Sequence, residues 1–201
     1  MGELTGLDAV TIDAYGTLVE LVDPVPALRA ALVERGVERD AERVRAAFRA
    51  EVAYYRPRSV EGRDAESLAA LRRDCTGVFL AEAGSDLDPA GFAEAFVDSL
   101  VFRPVAGALA AVDRLRAQGL ALAVVSNWDV GLREKLGPLA SRFACVVTSA
   151  EVGAAKPDPA VFHAALERLE IPAGRALHIG DEQGDEDGAR AAGMRFRWAP
   201  L

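Results

Sequence analysis

The sequence is short of cationic charge, of cysteine and of long apolar runs. Its 201 residues carry 31 Asp and Glu against 23 Lys and Arg, a formal net charge of −8. A chain this acidic lacks the positive field that sequence-independent nucleic-acid binding requires, so no nucleic-acid partner is expected. A small phosphorylated substrate stays open, because a local metal ion reverses the sign of a pocket. The two cysteines, Cys75 and Cys145, are expected as buried thiols rather than a disulfide. No apolar run approaches the ~18 residues of a membrane span, so no membrane partner is expected. Met1 to Val10 contains Glu3 and Asp8 but no Lys or Arg, and so lacks the positive start of a signal peptide. A cytoplasmic location is the expectation. The oligomeric state is not legible.

What is present is the balance of a globular domain: 51% hydrophobic and 27% charged residues, enough apolar surface to offset chain entropy. Ala9–Asp13, Leu120–Val125, Phe143–Thr148, Ala176–Ile179 and, more weakly, Met194–Trp198 read as short buried strands. Helical patterns separate them. Leu109, Val112 and Leu115 recur on one stripe before Gly119. Asp158-Pro159 reads as an N-cap and first helical position before Phe162, Leu166 and Leu169. Asp185–Ala192 runs to Gly193. This alternation predicts an α/β fold, a Rossmann-like parallel sheet of about five strands with helices on both faces.

Between Leu18 and about Val101 the alternation stops, and no strand pattern is evident. The apolar sets Leu28/Ala31/Leu32, Val44/Phe48/Val52/Tyr55, Leu68/Leu71/Cys75/Phe79 and Phe92/Phe96 are all helical in spacing. Arg56-Pro57-Arg58 and Gly62 mark a loop. The expected division is an α/β domain of residues 1–16 and 102–201, with an all-helical domain, 17–101, inserted in it.

Ligands of open parallel sheets gather at the carboxyl ends of the strands. Those ends carry Asp13 with Thr17 nearby, Ser126-Asn127, and Asp181 with Asp185 four residues on; Lys156 follows the third strand. Crowded carboxylates need a neutralising cation, and an all-oxygen set suits a hard ion such as Mg²⁺. Lys156 then serves as a point charge for an anionic substrate oxygen, and Ser126 as a hydrogen-bond donor. Asp13 is left as a nucleophile able to form an acyl phosphate.

These residues form four ordered motifs: Asp13-Ala14-Tyr15-Gly16-Thr17, Ser126-Asn127, Lys156-Pro157-Asp158-Pro159, and His178-Ile179-Gly180-Asp181 followed by Asp185-Glu186-Asp187-Gly188-Ala189. Together they resemble the haloacid dehalogenase-like (HAD) hydrolase superfamily over essentially the whole chain, with the inserted helices similar to that family's small cap. The resemblance implies a Mg²⁺-dependent phosphatase acting on a small phosphorylated metabolite through an aspartyl-phosphate on Asp13. Ser126 and Lys156 would hold the phosphoryl group. Asp13, Asp181, Asp185 and the backbone carbonyl of Tyr15 would bind the metal. Thr17, Asn127 and Arg49 are candidate substrate contacts, and Arg56 and Arg58 further candidates for holding an anion.

Two features depart from the phosphatase pattern. Tyr15 stands where phosphatases of the family carry a second Asp as general acid, and Asp-x-Tyr-Gly-Thr resembles the haloacid dehalogenases instead. A 2-haloacid dehalogenase, or a catalytically weak, regulatory member of the fold, therefore remains an alternative. The spacing after Asp181 also leaves Asp185, Glu186 and Asp187 open as the last metal carboxylate. His178 is expected to pack beside the site.

Overall fold

The computed structural model describes residues 5–201, so the reading of Met1–Leu4 lies outside the described residues. The chain divides into two compact units, Met1–Glu20 with Phe102–Leu201, and Leu21–Val101. The division falls after Glu20 rather than after residue 16, because Leu18 and Val19 bury themselves in the core of the first unit.

In chain order the elements are β1 (Ala9–Ile12) and β2 (Val19–Leu21); α1 (Val25–Val33), α2 (Ala41–Tyr55), α3 (Ala65–Ala83) and α4 (Pro89–Asp98); then β3 (Phe102–Pro104), α5 (Ala108–Ala117), β4 (Ala121–Ser126), α6 (Leu132–Leu136), β5 (Cys145–Thr148), α7 (Ser149–Val152), α8 (Ala160–Leu169), β6 (Ala176–Gly180), α9 (Gln183–Ala191) and β7 (Arg195–Trp198). The main sheet has the order β5-β4-β1-β6-β7, and every pairing in it is parallel.

The period of two along each strand sorts side chains onto two faces. Val10, Ile12, Leu122, Val124, Leu177 and Ile179 pack with Val112 and Leu115 of α5 and Leu132 and Leu136 of α6. Ala9, Ala123, Val125, Val147 and Ala176 pack with Val161, Phe162, Ala165 and Leu166 of α8 and Ala189 of α9. With both faces covered, β1, β4, β5 and β6 read as nearly unbroken apolar runs, whereas β7, at the end of the sheet, is mostly exposed rather than the buried strand expected.

The helical unit has its own core. Leu28 and Leu32 of α1, Val44 and Ala47 of α2, Phe79 and Leu80 of α3, and Phe92 and Phe96 of α4 meet there. Helix α2 begins where the Asp40 side chain accepts the Arg43 N–H. Helix α3 begins at a reciprocal Asp64–Ser67 capping box and ends at Gly84, whose φ of 68° is left-handed. One buried group is acidic: Glu51 on α2 takes a hydrogen bond from the Cys75 thiol of α3, and burial pushes its carboxyl up to about 7. Cys75 and Cys145 are both buried and reduced.

Several expectations are corrected. β2 lies in the stretch where no strand was expected, and it pairs with β3 in a two-stranded sheet. Three residues are too few to show a period, and the pairing joins distant segments. Arg56–Glu61 is a 3₁₀ helix rather than a loop. Leu109 is exposed, and the buried stripe of α5 is Ala108, Ala111, Val112 and Leu115. Pro159 occupies the N-cap of α8, with Asp158 accepting the Ala160 N–H from one position earlier. Among the described residues no helix is long and apolar enough to cross a membrane.

Candidate active site

The site grows out of strand register. Thr11 and Ile12 of β1 pair with Ala123 and Val124 of β4 on one side, and with His178 and Ile179 of β6 on the other. The chain therefore leaves these strands at a common level, delivering Asp13, Ser126 and Asp181 to one rim of the sheet. The Asp13 N–H still donates to the Ile179 carbonyl, at 2.9 Å, which fixes the base of its side chain.

Lys156 ties the rim together. Its Nζ lies 2.5 Å from Asp13 Oδ1, 2.5 Å from Asp185 Oδ1 and 3.3 Å from the Val125 carbonyl. Its side chain is only 6% exposed. The Ser126 hydroxyl donates to Asp13 Oδ1 at 3.0 Å. The Thr17 hydroxyl, fully buried, donates to Asp181 Oδ1 at 2.8 Å. Gly16 makes the intervening turn with φ of 83°, and a Cβ there would stand 2.3 Å from Asp181 Oδ2. Only glycine lets this turn pass the carboxylate.

Asp185 is the third residue of α9. Its Oδ2 accepts the Glu182 N–H at 3.0 Å in a reciprocal capping box, and the His178 ring lies 3.1 Å from Oδ1. The next two acids turn away: Glu186 pairs with Arg190, and Asp187 accepts from Gln183. Asp185 is thus the acid of this run that points into the cluster.

The electrostatics follow from burial and from the shared lysine. Burial pushes the Asp13 carboxyl up to about 6, the Asp185 charge adds to this, and Lys156 opposes it. Burial also works against the charge on Asp185, but the His178 hydrogen bond and Lys156 outweigh it and hold this carboxyl well below its ordinary range. Burial disfavours the Lys156 ammonium, yet Asp13 and Asp185 overcome that and raise its pKa. Burial drives His178 down to about 4, so its ring is neutral near pH 7.

Asp13, Asp181 and Asp185 each offer a carboxylate oxygen, and these oxygens lie within 4.8 Å of one another. Three oxygen donors around a small space fit a hard divalent cation, which takes carboxylates and fills its remaining positions with water or substrate oxygens.

The other expected residues stand elsewhere. Tyr15 lies on the turn after Asp13, bridged to Val19, with its side chain 42% exposed. The Asn127 side chain binds the main chain of Lys156 at both ends, donating to its carbonyl at 3.1 Å and accepting its N–H at 2.7 Å. It thereby anchors the lysine loop. Arg49 is exposed on α2 of the helical unit. Arg58 stacks over Tyr54, 4.0 Å from the ring centroid. Sequence reasoning missed the bonds that Thr11 and His178 make. The available signal was a polar residue at the same place in two otherwise apolar strands, Ala9–Ile12 and Ala176–Gly180.

A family model for haloacid dehalogenase-like hydrolases matches residues 7–193. The chain belongs to the haloacid dehalogenase-like hydrolase family. It is 45% identical over 91 residues to haloacid dehalogenase-like hydrolase domain-containing protein 3 of Bos taurus, covering 44% of this chain and 36% of that protein. It is also 45% identical over 87 residues to a phosphoserine phosphatase of Thermus thermophilus, covering 41% of this chain and 35% of that one. The matched stretches thus span little more than a third of these relatives. A solved 2-haloacid dehalogenase of Pseudomonas syringae pv. Tomato superposes with a TM-score of 0.66 at 28% identity, over 96% of this chain and 86% of that one.

Proposed function

We propose that this hydrolase is a Mg²⁺-dependent phosphatase of small phosphorylated metabolites, working through an aspartyl-phosphate on Asp13. The observation that supports the reading is the convergence of Asp13, Asp181 and Asp185 oxygens within 4.8 Å of one another, with the Lys156 ammonium bonded to Asp13 and Asp185. A likeness to a phosphoserine phosphatase supports it.

In this reading Asp13, Asp181 and Asp185, with the Tyr15 carbonyl, hold the ion, which when bound supplies Lewis-acid neutralisation of phosphoryl oxygens. Ser126 and Lys156 both donate to Asp13 Oδ1, so Oδ2 is the oxygen disposed to attack phosphorus. As the P–O bond to the leaving group breaks, Ser126 Oγ and Lys156 Nζ take the phosphoryl oxygens and stabilise their charge. Water then hydrolyses the acyl phosphate and restores Asp13. The helical unit takes the part of the family's cap and supplies substrate choice, with Arg49 as its candidate anion contact.

A second reading, hydrolysis of 2-haloacids, is favoured by Tyr15 in the position of the phosphatase acid and by the likeness to a dehalogenase. One pair of assays separates them. We expect hydrolysis of p-nitrophenyl phosphate that requires Mg²⁺, is abolished by a chelator and is lost in Asp13→Asn. Activity indifferent to chelator, or chloride release from 2-chloropropionate without added metal, overturns the phosphatase reading.

A further inference from the structure

His178 and Thr11 take no part in that reaction, yet each is completely buried. They are register partners on the adjacent parallel strands β1 and β6. The Thr11 hydroxyl lies 2.8 Å from His178 Nδ1, and His178 Nε2 lies 3.1 Å from Asp185 Oδ1. The Phe162 ring packs edge-on against the imidazole, with centroids 4.9 Å apart. Two polar side chains in this apolar layer cost stability unless both are hydrogen-bonded. An aliphatic pair would fill the same space without that demand.

We infer that Thr11 and His178 form a positioning relay that fixes the Asp185 carboxylate for a divalent cation, an inference that rests on the metal-dependent reading above. The hydrogen-bond inventory sets the direction of the relay. An ionised carboxylate only accepts, so His178 Nε2 carries the proton and donates to Asp185 Oδ1. In a neutral ring Nδ1 is then an acceptor. The Thr11 hydroxyl can donate to it, and this locks the tautomer. Without Thr11 the proton is free to move to Nδ1, and a lone pair would then face the carboxylate.

Asp185 is held at three points: His178 and Lys156 on Oδ1, and the Glu182 N–H on Oδ2. A carboxylate has about four lone-pair positions, so one is left for an ion, and its direction is set by the other three. Partners of this kind typically change metal affinity by about 10–100-fold when removed.

The test is direct binding of Mn²⁺, as a spectroscopic stand-in for Mg²⁺, to the full chain by electron paramagnetic resonance. The variants are His178→Phe, His178→Gln and Thr11→Val, each checked for cooperative unfolding. His178→Phe is expected to weaken binding about 10–100-fold. His178→Gln keeps an N–H donor and is expected to recover most of that loss, and Thr11→Val to lose several-fold. The half-saturating Mg²⁺ concentration for turnover rises in the same order, while kcat at saturating Mg²⁺ changes far less. A folded His178→Phe that binds Mn²⁺ like the wild type overturns the relay while leaving the phosphatase reading intact. If His178→Phe fails to fold, Thr11→Val binding as tightly as the wild type overturns it instead. A wild-type chain that binds no Mn²⁺ overturns both.

Discussion

Lys156 Nζ meets Asp13 Oδ1 at 2.5 Å, although 143 residues of chain separate them. Both side chains are nearly sealed from solvent, at 6% and 8% exposure. The lysine is therefore held by the charges it faces, and Asp13 and Asp185 are held apart from mutual repulsion by the lysine between them.

Removing that ammonium leaves two buried carboxylates unpaired. Lys156→Met is expected to destabilise the protein by about 3–5 kcal/mol, the cost of breaking a buried pair from one side. Turnover of p-nitrophenyl phosphate is expected to fall at least ~10²-fold through the lost charge stabilisation. Urea denaturation and steady-state kinetics measure the two effects separately, and an unchanged unfolding midpoint would contradict the first.

Gly16 is confined twice, by its positive φ and by Asp181 beside it. Gly16→Ala strains the turn by about 1–3 kcal/mol and pushes the Asp181 carboxylate out of line. The expected result is a lower melting temperature together with a higher Mg²⁺ requirement. Loss of stability alone, with the Mg²⁺ dependence unmoved, would place Asp181 outside the ion site.

Tyr15 places a phenol rather than a carboxyl group on the turn after Asp13. Tyr15→Asp is expected to raise kcat/KM for an alkyl phosphate, whose alkoxide leaves poorly, by roughly 10²-fold, at the low end of what a positioned acid contributes. Hydrolysis of p-nitrophenyl phosphate should change little, because its leaving group needs no proton. The ratio of the two rates is the measurement, and a constant ratio rejects the idea.

Glu51 gives a pH signature to the helical unit. Burial lifts its carboxyl from an ordinary 4.5 to about 7. Between those values the folded chain keeps a proton that the unfolded chain has already released, so stability falls as pH rises through that window. The loss is about 3 kcal/mol and is complete above pH 7. Glu51→Gln removes the titration while preserving shape. Its stability is expected to match the wild type near pH 4.5 and to exceed it by about 3 kcal/mol at pH 8, as read by urea denaturation at each pH. A stability gap that does not vary with pH would mean that Glu51 is ionised throughout.

The pattern of apolar runs and stripes carried most of the architecture. β1, β4, β5 and β6 could be read because they are buried along their length, and α1 to α4 because each buries a stripe of its own. Asp13, Ser126 and Asp181 could be read as one group because they follow such strands directly. β2 and β3 could not, since three-residue strands have no period. Leu109 misled because spacing alone does not say which side of α5 meets the sheet.

The amino-acid sequence by itself determined the α/β alternation, the helical insertion, the family and the residue types at the strand ends, all of which are local in the chain. The tertiary structure alone decided which acid after Asp181 turns inward, that the Asn127 amide binds the Lys156 loop, that Thr17 binds Asp181, and that Thr11 reaches Asp185 through His178. Those are hydrogen bonds between segments brought together by strand register and by the first turn of α9. Register depends on which strands pair, and pairing is a property of the packed sheet rather than of any one segment.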